Sequence, residues 1–304
     1  MKHAAILALL FTLCNAVACA QSLRDRLRDR GDGAAELEGA DAGALAAVVP
    51  SGVTVTKDVA YGADPAQRLD VYVPAGAKDA PIVFMVHGGA WMMGDKGTGP
   101  IVTNKVARWA PKGYMFVSTN YRMSRSPSPL DQADDVGRAI AYVVAHARTW
   151  GGDPARILLM GHSAGAHLAA LVAADPTFAT THGSATWLGL VSLDSGALDV
   201  VDTMSTKHYG FYDRVFGDDP EAWKAASPHH RLATAAKPML LVCASGRADS
   251  VRQSKAFAAK AIALGGTARV LEVAMKHGAI NTDLGLDTEY TAQVEAFMRT
   301  LDLP

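Results

Sequence analysis

Cysteine is scarce in this 304-residue chain, which has only three. Cys14 and Cys19 fall in or beside an apolar N-terminal segment, so Cys243 has no partner for an internal disulfide in the mature domain. Cys243 lies in the apolar run from Met239 to Ala244. We therefore expect it to pack in the core.

Charge of one sign is also lacking, since 29 basic residues face 30 acidic ones. A basic stripe of the kind that neutralises phosphates is absent, which argues against a nucleic-acid partner. The sequence contains no HExxH zinc motif, no GxxxxGK[ST] phosphate loop and no GxGxxG after the first predicted strand. Neither a metal nor another cofactor is predicted. The expected partner is a small molecule, and the sequence does not determine the oligomeric state.

One apolar run stands out, from Ala4 to Val17, and it is too short to span a bilayer. It follows Lys2 and ends in Ala18-Cys19-Ala20, the small-x-small pattern of a signal peptidase site. We predict a signal peptide over residues 1–20 and export to the periplasm or the medium. The alternatives are an envelope lipoprotein anchored through Cys19, because Ala16-Val17-Ala18-Cys19 resembles a weak lipobox, and a buried N-terminal helix.

The remainder divides into a leader or spacer at residues 21–52, interrupted by glycines, and one domain at residues 53–304. Alternating apolar residues predict two strands, around Val53 to Val55 and Leu69 to Val73. Short apolar runs then alternate with helical patterns, which is typical of a mostly parallel sheet buried on both faces by helices. The fold class predicted is α/β, of the α/β-hydrolase type.

The segment from Ala197 to Arg231 breaks this rhythm and is rich in aromatic residues. One interpretation is a small cap inserted at residues 199–230 over a pocket. The other is a surface excursion whose aromatic side chains pack against the sheet edge.

The strongest local motif is Gly161-His162-Ser163-Ala164-Gly165, between an apolar strand and an alanine-rich helix. In this setting small flanking residues allow a sharp turn that exposes the serine hydroxyl above the sheet. We therefore predict that Ser163 is a nucleophile. The N–H of Ala164, the residue that follows it, is a predicted oxyanion donor.

A second motif, His87-Gly88-Gly89-Ala90-Trp91, follows the predicted strand that ends at Val86. The N–H groups of Gly88 and Gly89 can face the oxyanion that develops when a serine nucleophile attacks a carbonyl group. Trp91, Met92 and Met93 lie just beyond these glycines. They either line a substrate pocket or belong to the core.

A serine nucleophile needs a base and an acid that orients it. His277 and Asp249 follow late predicted strands and give the chain order Ser, Asp, His. Asp194 is a rival to Asp249 because it also ends a strand. His162 and His167 are expected to have packing or orienting roles.

These motifs occur together in a fixed order. They are Tyr61-Gly62-Ala63-Asp64-Pro65, Arg68-Leu69-Asp70-Val71-Tyr72, the two glycine motifs, Gly94-Asp95-Lys96, Asn120-Tyr121-Arg122, and Asp249 with His277. The chain from about Val59 onward resembles the α/β-hydrolase esterases related to hormone-sensitive lipase, a branch that includes bacterial carboxylesterases and kynurenine-formamidase-like proteins. The resemblance implies a triad of Ser163, Asp249 and His277 and an oxyanion hole of Gly88, Gly89 and Ala164. It does not choose a substrate.

The function predicted is a serine carboxylesterase that hydrolyses small acyl or aryl esters through an acyl-enzyme. Two alternatives stay open: a formamidase, amide hydrolase or peptidase of the same fold, and a non-catalytic binding protein that retains the scaffold.

Overall fold

The computed structural model describes residues 46–123 and 128–304, where one eight-stranded sheet forms the centre of the domain. The strands follow the order β1-β2-β4-β3-β5-β6-β7-β8 across the sheet. β2 pairs antiparallel with β1 and β4, and every pair from β4 to β8 is parallel. The strands are β1 (Val53–Ala60), β2 (Arg68–Pro74), β3 (Ala80–Val86), β4 (Met115–Thr119), β5 (Gly152–His162), β6 (Gly189–Leu193), β7 (Met239–Ala244) and β8 (Ala268–Val273).

Helices connect the strands, as a parallel sheet requires. The longer ones are α1 (Gly99–Trp109), α2 (Pro129–His146), α3 (Ala164–Ala174), α9 (Ala248–Ala263) and α11 (Glu289–Arg299), with 3-10 turns at Ala110–Lys112 and Ala147–Trp150. The shorter ones are α4 (Thr177–Thr180), α5 (Val200–Ser205), α6 (Gly210–Phe216), α7 (Pro220–Ala225), α8 (Pro228–Arg231) and α10 (His277–Thr282).

The apolar core lies in two layers, one on each face of the sheet. α2, α3 and α9 contribute to the first layer, while α1, α10 and α11 contribute to the second. Strands β3, β4, β6 and β7 are buried along their whole length, which explains their unbroken apolar runs. The predicted α/β-hydrolase type of fold is confirmed.

Cys243 lies within β7, where it is fully buried and has no disulfide partner among the described residues. Burial raises the pKa of its thiol to about 11, so the thiolate is disfavoured at neutral pH. The thiol behaves as a small apolar group of the core.

The aromatic segment between β6 and β7 folds into four short helices, α5 to α8. Tyr212 and Phe216 of α6 are buried, and their rings approach Trp91 with centroid distances of 5.9 and 5.1 Å. The segment is fixed to α3 through Ala226, whose carbonyl contacts His167 Nε2 at 2.7 Å. It therefore packs over the loop that follows β3.

The predicted signal peptide, Cys19 and most of the 21–52 spacer lie outside the described residues. At the start of the described residues, the backbone N–H of Ala47 donates to the carbonyl oxygen of Gly97, and that of Val48 donates to Oγ1 of Thr103. The end of the spacer thus contacts the start of α1. Within residues 46–123 and 128–304, the helices are too short or too polar to cross a bilayer.

Candidate active site

Ser163 occupies a strained turn between β5 and α3. Its φ of 55° and ψ of −121° are unusual for a residue with a side chain. The turn needs Gly165, because a Cβ there would lie 2.2 Å from the carbonyl oxygen of Val86. Gly161 is required in the same way, since its Cβ would lie 2.3 Å from the oxygen of Gly165. The two glycines of the motif therefore permit the close approach that this turn demands.

The glycine loop after β3 lies directly against Ser163. A Cβ added to Gly88 would be 3.0 Å from the Cβ of Ser163. Gly89 has a φ of 121°, which only glycine adopts readily. Ala164 is the first residue of α3, where backbone N–H groups lack intrahelical acceptors. The structure thus places Gly88 and Ala164 beside Ser163, with Gly89 as the next residue of the glycine loop.

His277 starts α10 and lies beside the serine turn. Its ring centroid is 4.5 Å from that of His162, the residue before Ser163, and its carbonyl oxygen is 3.1 Å from His162 Nε2. The ring is buried, and Nε2 has no hydrogen-bond partner among the described residues. An unpartnered imidazole nitrogen next to a serine turn is suited to accept a hydroxyl proton.

The acid that contacts His277 is Asp194, the rival considered above. Oδ2 of Asp194 lies 2.6 Å from Nδ1 of His277. The expected contact between Asp249 and His277 is therefore wrong. The reason is local: α9 begins at Ala248, so Asp249 lies in its first turn, with 45% of its side chain exposed. Asp194 instead stands where β6 ends, with a φ of 53°, and its side chain is fully buried.

Asp194 is held as a carboxylate by its neighbours. Oδ1 accepts hydrogen bonds from Ser250 Oγ at 2.6 Å and from the N–H of Ala244 at 3.0 Å. Burial acts to raise the pKa of Asp194, but the hydrogen bond from His277 and the positive charge of Arg247 outweigh it and hold that pKa well below its usual value. The carboxylate can therefore stabilise positive charge on His277.

Arg247 is the residue at this site that the sequence patterns did not single out. Its Nη1 lies 3.1 Å from Asp194 Oδ2 and 2.7 Å from His277 Nδ1. A signal was present, since Arg247 belongs to the same short loop after β7 that drew attention to Asp249. Asp249 was chosen from this loop and Arg247 was not, because an arginine is not a usual member of a serine triad.

Two more histidines support the site, in orienting or packing roles. Burial, followed by the charge on His277, lowers the pKa of His162 well below its ordinary value, which keeps its ring neutral. Nδ1 of His167 accepts from Trp91 Nε1 at 3.1 Å, and burial lowers the pKa of His167 to about 4. His167 thus ties the glycine loop to α3.

The three residues for which the sequence left a choice between pocket and core separate in the structure. Trp91 is 5% exposed, and its carbonyl accepts from Gln132 Nε2 at 2.8 Å, which places it in the core. Met92 and Met93 are 36% and 40% exposed. Trp91 therefore belongs to the core. Met92 and Met93 form an exposed apolar surface beside the glycine loop.

α10, the helix that begins with His277, is anchored from α1 by a buried lysine. Lys105 Nζ donates to the carbonyl oxygen and to Oδ1 of Asn281 at 2.6 and 2.8 Å. Burial lowers the pKa of Lys105 to about 7. Among the described residues, no three His, Cys, Asp or Glu side chains are grouped as a metal site requires.

Solved structures share this architecture over nearly the whole chain. Esterase B from Lactobacillus rhamnosis superposes with a TM-score of 0.70 at 21% identity, covering 94% of this chain and 96% of that one. A truncated carbohydrate esterase from gut microbiota has a TM-score of 0.69 at 19% identity, covering 84% and 99%. At these identities the likeness establishes the fold.

Curated relatives are closer in sequence but longer. A probable isoprenylcysteine α-carbonyl methylesterase of rice is 30% identical over 61% of this chain and 45% of its own length. Esterase LipC of Mycobacterium tuberculosis is 33% identical over 60% of this chain and 49% of its own. The chain thus spans less than half the length of each of these relatives.

A family model matches residues 69–260, which include the serine turn, the glycine loop and Asp194. The match covers more than half of the chain, from β2 into α9, and ends before His277. Together with the sheet order and the serine turn, it shows that the chain belongs to the BD-FAE family of α/β-hydrolases.

Proposed function

We propose that this chain is a serine carboxylesterase that hydrolyses small acyl or aryl esters through an acyl-enzyme intermediate. The observation that carries the proposal is the buried pair of His277 and Asp194, 2.6 Å apart, with the other imidazole nitrogen unpartnered among the described residues beside the strained Ser163 turn. Ser163 is assigned as nucleophile, His277 as base and Asp194 as the orienting acid.

In the acylation step, Nε2 of His277 takes the hydroxyl proton as Ser163 Oγ attacks the carbonyl carbon of the ester. Asp194, bonded to Nδ1, fixes the tautomer that leaves Nε2 free to accept and stabilises the imidazolium that forms. The proton then passes from Nε2 to the alcohol oxygen as the bond to the acyl carbon breaks. Water repeats the sequence and releases the carboxylic acid.

The negative charge on the carbonyl oxygen is assigned to the N–H groups of Gly88, Gly89 and Ala164. Gly88 lies against Ser163, and Ala164 begins the helix that follows it. Loss of one such donor typically costs about 3 to 4 kcal/mol of transition-state stabilisation. The exposed Met92 and Met93 are proposed to contact the ester beyond this loop.

The comparisons support ester hydrolysis as the reaction class. The relatives are named as methylesterases and esterases, and another is a probable carboxylic ester hydrolase, LipM of Mycobacterium tuberculosis, 37% identical over 39% of this chain. The solved structures with the same fold are also esterases. The names include a methylesterase and a carbohydrate esterase, so they do not select one ester as the substrate of this chain.

The proposal is tested with p-nitrophenyl esters from acetate to decanoate and a matched anilide series. Wild type should release p-nitrophenol, and Ser163→Ala should lose at least about 10⁴-fold in kcat/KM. A fluorophosphonate probe should label wild type and not the variant. Faster turnover of the anilides would move the assignment to an amide hydrolase, and labelling of Ser163→Ala would remove Ser163 from the nucleophile role.

We also propose export, on the pattern of Lys2, the apolar run to Val17 and Ala18-Cys19-Ala20. Intact mass of the protein recovered from its native cell should show a chain beginning at Gln21. A chain beginning at Cys19 with added acyl mass would indicate a lipoprotein, and an uncleaved chain in the cytoplasm would contradict export.

A further inference from the structure

Arg247 brings a permanent positive charge into contact with the base and the acid together. Nη1 is 2.7 Å from His277 Nδ1 and 3.1 Å from Asp194 Oδ2. On its other side, Nη2 is 3.8 Å from Asp249 Oδ2, and 15% of the arginine side chain is exposed. The guanidinium therefore lies between two carboxylates at the edge of the proposed active site.

A guanidinium can only donate hydrogen bonds and does not lose its proton in proteins. Nδ1 of His277 carries the proton that it donates to Asp194 in the catalytic tautomer. Two groups of the same sign then face each other whenever His277 is protonated at both nitrogens. Since a like charge disfavours the charged form, Arg247 opposes the imidazolium while Asp194 favours it.

Gly196, Asp249 and Tyr212 pack closely around the guanidinium of Arg247. A Cβ on Gly196 would lie 3.1 Å from Arg247 Nη2, 3.0 Å from Asp249 Oδ2 and 3.2 Å from the hydroxyl of Tyr212. The glycine thus leaves room for the guanidinium between Asp194 and Asp249. Packing on this side holds the positive charge against the histidine.

We propose that Arg247 is a positioning residue for the His277 and Asp194 pair: its guanidinium contacts both side chains, and its fixed charge repels a second positive charge on the ring. The inference rests on the proposed function. It assigns Asp249 a part at the site as well, as the outer carboxylate that contacts Arg247.

Other ionisable groups surround His277 and enter any account of its protonation. The end of β5 supplies His162, and α1 supplies Lys105 through Asn281. α11 supplies Tyr290, whose hydroxyl donates to Ile280 of the histidine helix at 2.8 Å. Charged neighbours in the chain are Lys276 before His277 and Asp283 after the helix. All of these remain in place when Arg247 alone is changed.

The test compares pH profiles of kcat/KM for wild type, Arg247→Met and Arg247→Lys. Removal of the charge should shift the acid limb to higher pH by about half to one unit, whereas lysine should keep most of the wild-type limb. Arg252→Met is the matched control, because it removes the same charge from the exposed face of α9, where Arg252 pairs with Asp202. Its acid limb should coincide with that of wild type.

A fall in kcat without movement of the acid limb would reduce Arg247 to a structural role and overturn the proposal. Nuclear magnetic resonance separates this from failure of the proposed function. The measurement uses Ser163→Ala protein, in which the His277 ring signals are identified by their loss in His277→Gln. Addition of Arg247→Met should raise the pH at which these signals are half-shifted. A midpoint that moves in this way, together with a wild type that hydrolyses none of the esters, would leave the charge effect standing and remove the esterase assignment.

Discussion

Asp194 and Asp249 lie at the same end of the sheet, yet their surroundings make them different acids. Asp194 is fully buried, contacts His277 and accepts from Ser250 and the backbone of Ala244. Asp249, in the first turn of α9, is nearly half exposed and faces Arg247. The difference teaches that position after a strand is not sufficient to orient a base. The carboxylate must also be held by hydrogen-bond donors and buried away from water. Asp194 at the end of β6 meets both conditions, and Asp249 at the start of α9 does not.

The largest expected effect is that of Asp194→Asn. The amide can no longer hold Nδ1–H and stabilise the imidazolium, so kcat/KM for a p-nitrophenyl ester should fall about 10⁴-fold. Steady-state kinetics near pH 8 measure this, with circular dichroism to verify the fold. A loss under tenfold would return the acid role to another carboxylate.

A smaller effect is expected for Ser250→Ala, which removes the 2.6 Å hydrogen bond to Asp194 Oδ1. Hydrogen bonds to charged groups contribute about 1.5 to 3 kcal/mol. Part of that loss should reach the transition state, so we expect kcat/KM to fall about tenfold. Ser254→Ala, one turn along α9, is the matched control and should stay near wild type. Equal losses in both variants would indicate a general effect on the helix.

Acid unfolding tests the burial and pairing of Asp194 independently of activity. The pKa of Asp194 is held below its unfolded value, so its contribution to stability is present above about pH 4 and is lost as pH falls below that value. Denaturant titrations between pH 5 and about pH 3 should therefore show a shallower decline in the free energy of unfolding for Asp194→Asn than for wild type. A parallel decline would contradict the buried pairing.

The smallest effect is expected for Asp249→Asn. Since its exposed carboxylate faces Arg247 and not the histidine, kcat/KM at alkaline pH should stay within about threefold of wild type. A loss comparable to that of Asp194→Asn would mean that the enzyme works in an arrangement where Asp249 reaches His277.

Much of the fold could be predicted from the local pattern of residues. β3, β5 and β7 are recognisable in the sequence as apolar runs, because burial on both faces of a parallel sheet leaves a continuous apolar signature, and α3 is recognisable as the alanine-rich helix after Ser163. The glycine motif at Ser163 was equally informative, since close backbone approaches exclude any side chain at Gly161 and Gly165. The strand predicted around Val53 to Val55 continues to Ala60, and the one predicted from Leu69 to Val73 is one residue longer at each end, because hydrogen bonding at strand ends depends on the neighbouring strands.

The sequence by itself determined the nucleophile candidate, the glycine loop and His277, because each is set by a short motif whose geometry is local. Only the tertiary structure showed that Asp194 and not Asp249 contacts His277, placed Trp91 in the core and brought Arg247 against His277. These outcomes depend on where α9 begins and on contacts between residues 30 or more positions apart in the chain, such as Arg247 with His277 and Asp194 with His277. Such long-range packing leaves no periodic trace in the chain, since it is fixed by how sheet and helices assemble.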